Sequence, residues 1–454
     1  MCGSRKPAAN GACLWAACLL ATLFPVPPLK GAPPLRYHLA VGDRLVYERR
    51  VRVSPLEEHT APEYYTEQLQ LWCLASENNE VLVLGDLVRR VDGQAETIHG
   101  GLFHVGPRGR RRFSSEMLAR TEGLDPLFEL IPILPPALQD EPVWLTEPDH
   151  FGRCWRCTRA ASDPAADGLV RVDFVLEDPT GVADACRQTQ RGSYWFDPQA
   201  GIVVRVESEL QDRSAKRGTL SVTRLYTRLK LDPLWCAQRL EEANRFLCTL
   251  RLEDRLLDEI ATQPDQIERI LPRIDRLWSE LIRGMRPEPG SPFRRLAQAR
   301  RTALAGEAER YRQRAELTRE WLGKLAAHWS LQTPDGDTIR SEAVRDRLVV
   351  EYFWSADSLW SLRSFQVLRE IQERLPAEEF RVVCVNIDAD VEAGRRVARL
   401  CGAGLTHVLA GSPVGGEPPR ELPVFRILDR DSRVLGIYFG WQPALAGRIA
   451  ALRR

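Results

Sequence analysis

The stretch Leu348 to Arg363, LVVEYFWSADSLWSLR, decides how the last third of the chain is read. Leu348 to Trp354 is an apolar run of strand length, Ser355 to Ser358 supplies a turn and a helix N-cap, and helical periodicity follows. A strand therefore feeds the N-terminal end of a helix, where unpaired backbone amides and the helix dipole favour negative charge. The opening positions of that helix read Ser358-Leu359-Trp360-Ser361.

Outward from this stretch, Trp329-Ser-Leu and Thr333-Pro-Asp-Gly-Asp precede the strand, and Arg381-Val-Val-Cys-Val-Asn-Ile-Asp, Glu421-Leu-Pro-Val-Phe-Arg-Ile-Leu-Asp-Arg-Asp and Gly440-Trp441 follow it. Together these segments resemble the thioredoxin-like proteins of the TlpA/ResA (redoxin) type, in which W-x-L-x-x-x-D-G leads to a strand and then F-W-A-x-W-C-x-x-C. The resemblance covers roughly Trp329 to Arg454. It implies a thioredoxin-like α/β domain at the C-terminus, with a cis proline at Pro423. The chemistry departs from the family: Ser358 and Ser361 stand where the family has cysteines, and the buried acid expected two residues before the tryptophan is Tyr352, with Glu351 beside it. A hydroxyl cannot form a disulfide, so two-electron exchange is closed at this site.

Two function classes follow from the resemblance. The first is a noncatalytic protein- or peptide-binding module with a degenerate Ser-x-x-Ser site, in which Trp354, Trp360, Leu422 and Pro423 form an apolar docking surface, since redox-active relatives bind extended peptide beside their cis proline. The second is a thiol-disulfide oxidoreductase using non-standard cysteines, Cys401 or Cys154 with Cys157. A hydrolase built on Ser358 ranks below both, because His407 is the only histidine between Trp329 and Arg454 and nothing in the sequence sets it beside the serine. No cofactor and no metal are expected.

With 454 residues, 44% of them hydrophobic and 28% charged, the chain is an ordinary globular composition long enough for several domains. A formal net charge of +1 offers no global field to recruit nucleic acid, which is not expected as a partner. Arg5 and Lys6 precede an apolar stretch from Ala12 to Phe24, shorter than the ~20 residues of a transmembrane helix, and Pro25, Pro27 and Pro28 end it. Residues 1–32 thus read as a signal peptide or as an uncleaved N-terminal anchor and membrane tether. Either reading places the body outside the cytoplasm, periplasmic or secreted. Of the 11 cysteines, Cys2, Cys13 and Cys18 fall in this segment, and the others are too sparse for a disulfide scaffold.

Residues 37–231 alternate as strands do, and form the expected antiparallel β-rich N-terminal domain, a curved meander, half-barrel or sandwich. Asn78-Asn79 and Asp197-Pro-Gln-Ala-Gly201 mark hairpin turns. A leucine- and proline-rich stretch, Leu124 to Pro148, is expected to cross one end of the sheet. His150, Cys154 and Cys157, with Cys186, have partial zinc-ligand spacing, but on a strand Cys154 and Cys157 point to opposite faces. The cluster Arg108 to Arg112 reads as a solvated loop. Residues 232–328 form a helical connector, opened by Asp232-Pro233 as N-cap and N1 and broken at Arg286 to Pro292, with its third segment running from Phe293 to Ala327. Its thin apolar stripe suits a modestly packed spacer. Residues 329–454 complete a multidomain α+β chain, with Pro423–Leu428 and Val434–Phe439 as an antiparallel pair and a helix at Pro443 to Leu452.

Overall fold

The computed structural model describes residues 35–55, 61–90, 97–114, 117, 120, 124–135, 142–147, 153–160, 168–177, 188–212, 216–285, 291–376, 378–401, 404–411, 421–442 and 444–452. Residues 1–32, read above as signal or anchor, lie outside them, as do His150 and Cys186. No helix among the described residues is long and apolar enough to cross a membrane.

Strands β1 (Asp43–Pro55), β2 (Glu63–Glu77), β3 (Glu80–Arg90), β4 (Thr97–Val105) and β5 (Arg111–Arg112) form one antiparallel run. A second run comprises β6 (Val143–Leu145), β7 (Cys154–Arg159), β8 (Val170–Glu177), β9 (Gln188–Asp197), β10 (Ile202–Asp212) and β11 (Arg217–Lys230). The runs join where β1 pairs with β11, from Asp43 opposite Lys230 to Pro55 opposite Arg217. An eleven-stranded sheet results, with β5 and β6, consecutive in the chain, at its two edges. Both expected turns are present. Asn78 and Asn79 adopt positive φ between β2 and β3, and Asp197 accepts backbone N–H bonds from Gln199 and Ala200 before Gly201 turns at φ +64°.

Of the stretch between β5 and β6 expected to cross one end of the sheet, the described residues 124–135 enter the interior. Leu124, Leu127, Phe128, Leu130, Ile131 and Leu134 are buried in one cluster with Phe103 of β4 and Tyr194 of β9. The short helix α1 (Asp125–Glu129) touches strands far apart in the sheet: Phe128 packs on Phe103 at 5.9 Å, while Glu129 accepts from Gln190 on β9 and Ser208 on β10. In a flat sheet β4 and β9 would lie roughly 29 Å apart at ~4.8 Å per strand. The sheet therefore curls around this segment. Apolar residues drive it inward, and the arginine cluster secures it: Arg111 donates to the carbonyls of Phe128 and Ile131, and Arg108 to those of Leu134 and Pro135. These two guanidinium groups satisfy carbonyls at and after the end of α1, a structural task that the solvated-loop reading did not foresee, while Arg110 and Arg112 are exposed as expected.

Helices α2 (Pro233–Thr262), α3 (Ile267–Gly284) and α4 (Pro292–Trp321) follow. Asp232 caps α2, accepting from the backbone N–H of Leu234 and Trp235, with Pro233 in its first turn. The helices are more than a spacer. Phe246, Trp278, Phe293 and Leu296 pack against Trp72, Leu74, Leu84 and Leu102, which project from β2, β3 and β4 away from the interior cluster. Covered on both faces, β2 reads as the unbroken buried run Leu69 to Leu74. Helix α4 stops at Trp321, six residues short of the expectation. Gly323 turns at φ +74°, and Gly323 and Ala326 donate N–H bonds to the carbonyls of Val434 and Ser432.

The second sheet is seven-stranded, in the order β13 (Thr338–Arg340), β12 (Ser330–Gln332), β16 (Thr406–Leu409), β15 (Phe380–Asn386), β14 (Leu348–Trp354), β17 (Val424–Leu428), β18 (Val434–Phe439). Strands β14, β15 and β16 are parallel, and β17 and β18 return antiparallel. Helices α5 (Leu359–Arg374) and α6 (Val391–Cys401) connect the parallel strands. Both crossings step the same way across the sheet, so right-handed connection puts both helices on one face. There Phe365 and Leu368 of α5, Val397 of α6, and Leu445 and Ile449 of α7 (Leu445–Leu452) cover Val350, Tyr352 and Trp354. Strand β16 was not expected: four residues carry too little periodicity to announce themselves.

Candidate functional site

Ser358 is the N-cap of α5. Its Oγ accepts the backbone N–H of Ser361 at 3.2 Å. Ser361 is fully buried in the first turn; its Oγ lies 3.4 Å from the Ser355 N–H, and its carbonyl accepts from Tyr352 Oη at 2.5 Å. The Ser358 hydroxyl serves the helix start and the Ser361 hydroxyl the turn that leads into it. Where a thiolate would draw on that N-terminus for acidity, a serine oxygen satisfies its amides.

The Leu422–Pro423 peptide is cis, and Gly440 donates its N–H to the Pro423 carbonyl at 2.8 Å, tying the entry of β17 to the exit of β18. Beside this junction opens a cleft of about 680 Å³. Trp360, Leu422, Phe439 and Trp441 line it on the sheet side, and α2 and α4 form the opposite wall, with Tyr311 among its residues. Trp360 stacks on Trp441 at 5.3 Å and 24°, and Arg363 lies 4.8 Å from the Trp360 ring centroid. Trp441 also packs against the interior cluster of the large sheet. Two ion pairs span the cleft: Arg314 of α4 with Glu421, and Arg448 of α7 with Asp258 of α2.

Of the four residues expected to bind, the structure brings Trp360 and Leu422 to the cleft wall and sets the cis Pro423 bond directly behind Leu422. Trp354 does not join them. It is fully buried, 5.0 Å edge-on to Phe365 and 6.0 Å from the His407 ring, because on β14 it points with Val350 and Tyr352 under α5. It holds the helix and has no surface to offer. Trp441, Tyr311, Arg314 and Glu421 went unread as site residues. Trp441 was visible as part of a Gly-Trp pair after a strand, whereas Tyr311 and Arg314 come from a helix whose neighbours only the tertiary fold reveals.

The acid flanking Tyr352 has its own place. Glu351 points to the opposite face of β14, fully buried, where it accepts from Arg345, from Arg426 Nε at 2.8 Å and from Trp329 Nε1 at 3.0 Å. Burial alone would raise its pKa, but Arg426 and Arg345 outweigh burial and hold the carboxyl below its usual range.

Among the described thiols, burial pushes Cys73 and Cys157 up to about 12 and Cys384 well above its ordinary value. Such groups are poor sources of thiolate at neutral pH. Cys157 faces the interior cluster and Cys154, three residues earlier on β7, the other side. Cys401 ends α6, and its side chain lies outside the described residues.

No family model matches the chain, and no curated protein does. Solved structures similar to part of it are thioredoxin-like. One is a protein assigned as the thiol:disulfide interchange protein DsbE of Chlorobium tepidum, 23% identical over 29% of this chain and 94% of that one, TM-score 0.27. Another is the C-terminal domain of a protein assigned as a thiol-disulfide oxidoreductase of Bacteroides thetaiotaomicron, 19% identical over 29% and 95%, TM-score 0.26. A third is a thiol-disulfide oxidoreductase of Bacteroides fragilis, 17% identical over 28% and 99%, TM-score 0.25. The exchange activity in those names belongs to those proteins.

Proposed function

We propose that this chain is an extracytoplasmic, noncatalytic polypeptide-binding protein whose thioredoxin-like part recognises its partner at the cleft beside Leu422 and cis Pro423. The observation that carries the reading is the pairing of a spent helix start with an intact recognition edge. Ser358 and Ser361 use their hydroxyls on the backbone of their own turn, while Trp360, Leu422 and Trp441 wall an open cleft. Aromatic side chains at a cleft supply large contact area at little entropic cost. The apolar stretch Ala12 to Phe24 behind Arg5 and Lys6 supports the location.

Two measurements test it. A disulfide reductase assay, run with quantitative thiol labelling before and after mild reduction, should show neither turnover nor a redox-sensitive accessible thiol. Turnover abolished by replacing Cys401, or Cys154 with Cys157, would overturn the noncatalytic reading. In the second, a fluorescein-labelled neutral peptide of alternating valine and glutamine is titrated with the full chain. It should bind, and Trp360→Ala should weaken it about tenfold; no binding, or binding indifferent to Trp360, sinks the cleft as the site.

A further inference from the structure

The cleft carries more positive than negative charge. Seven arginines line it against four carboxylates, Asp254, Asp258, Glu307 and Glu421. Glu253, buried behind the wall and bonded to both Arg120 and Arg300, leaves an excess of two. The paired arginines close the framework: Arg314 with Glu421, Arg448 with Asp258, Arg120 with Asp254. Arg255 and Arg310 stand exposed at the rim. Arg255 has no ion pair among the described residues, and Arg310 reaches only Glu307, at 3.5 Å, a carboxylate it shares with Arg300.

Arg255 stands on α2 and Arg310 on α4, so the two exposed guanidinium groups are carried by the two helices that form one wall of the cleft.

Resting on the reading of this cleft as a polypeptide site, we propose that it selects an extended acidic segment whose Asp or Glu side chains engage Arg255 of α2 and Arg310 of α4, with the apolar side chains between them turned toward Trp360, Leu422 and Trp441. Each carboxylate meets a planar fork suited to it. Single-stranded nucleic acid is a poorer fit, because it needs open aromatic faces for its bases. Trp360 is covered by Trp441 on one side and flanked by Arg363, and Tyr311 is flanked by Arg310 and Arg314.

The test uses the full chain and three fluorescein-labelled peptides of equal length in which valine alternates with glutamate, glutamine or lysine, followed by anisotropy at low and at moderate salt. The glutamate peptide should bind at least ~10-fold tighter than the glutamine peptide, and the difference should shrink with salt. The double variant Arg255→Glu/Arg310→Glu, altering two exposed side chains, should bring the glutamate peptide down to the glutamine level and leave the glutamine peptide unchanged. Equal affinity for the two, or indifference to the double variant, overturns acidic selection while the peptide site stands. Tighter binding of an oligothymidylate overturns it in favour of nucleic acid. Failure of all three peptides removes the site and the selection together.

Discussion

Glu351 and Glu421 use the same materials to opposite ends. Each carboxylate meets arginine and has tryptophan nearby: Glu351 takes Arg345, Arg426 and Trp329, while Glu421 takes Arg314 at the cleft that Trp360 and Trp441 line. Around Glu351 no water reaches the group, and the side-chain exposures of Arg345 and Arg426 are 2% and 4%. Glu421 and Arg314 keep 29% and 18%. Dry, such a cluster fixes one arrangement of the small sheet, because removing any member strands a charge. Wet, it positions a loop at little cost to stability.

The contrast can be broken at its stronger end first. Glu351→Ala should cost about 3–5 kcal/mol in urea unfolding, since both arginines stay buried without their acid. A loss under 1 kcal/mol would mean that the cluster is not dry. The same carboxyl predicts a pH dependence. Its folded pKa lies below the ordinary value near ~4.3, so its contribution is present in full above that value and is lost as pH falls through the lower folded one. Stability should therefore decline on the acid side, and Glu351→Gln should flatten that part of the profile. Ser358→Ala removes the N-cap of α5 and should cost about 1 kcal/mol; no change in the thermal midpoint would show the hydroxyl free for another role. Smallest of all, Glu421→Gln should shift unfolding by less than about 1 kcal/mol. A larger shift would place Glu421 with Glu351 among the structural acids.

The sequence disclosed what local chemistry specifies. Leu348 to Trp354 as a strand, Ser358 as a cap and Asp232-Pro233 as a helix start are each written in a few adjacent residues, and the structure carries all three, while the cis bond before Pro423 is implied by the resemblance alone. What escaped depends on partners distant in the chain. Leu124 to Leu134 reads as apolar wherever it goes, and only the curl of the sheet sends it inside. Trp354 and Trp360 look alike on paper, and the face of β14 against the exposed edge of α5 separates core from cleft. The helical segment looked thin because its apolar residues were weighed without the outward leucines of β3 and β4, which supply the rest of that core.

One consequence of the large sheet concerns the order of events at synthesis. Its middle is held by β1 against β11, the first strand made and the last, with every other strand of the sheet between them in the chain. Bringing such distant partners together is an entropically slow, high-contact-order step. Until Arg217 to Lys230 has emerged, β1 presents an open, unpaired edge at what will become the centre of the sheet. An unguarded edge is a template for association with other chains. The nascent chain is thus most exposed to aggregation until this strand, the last of its first sheet, is made.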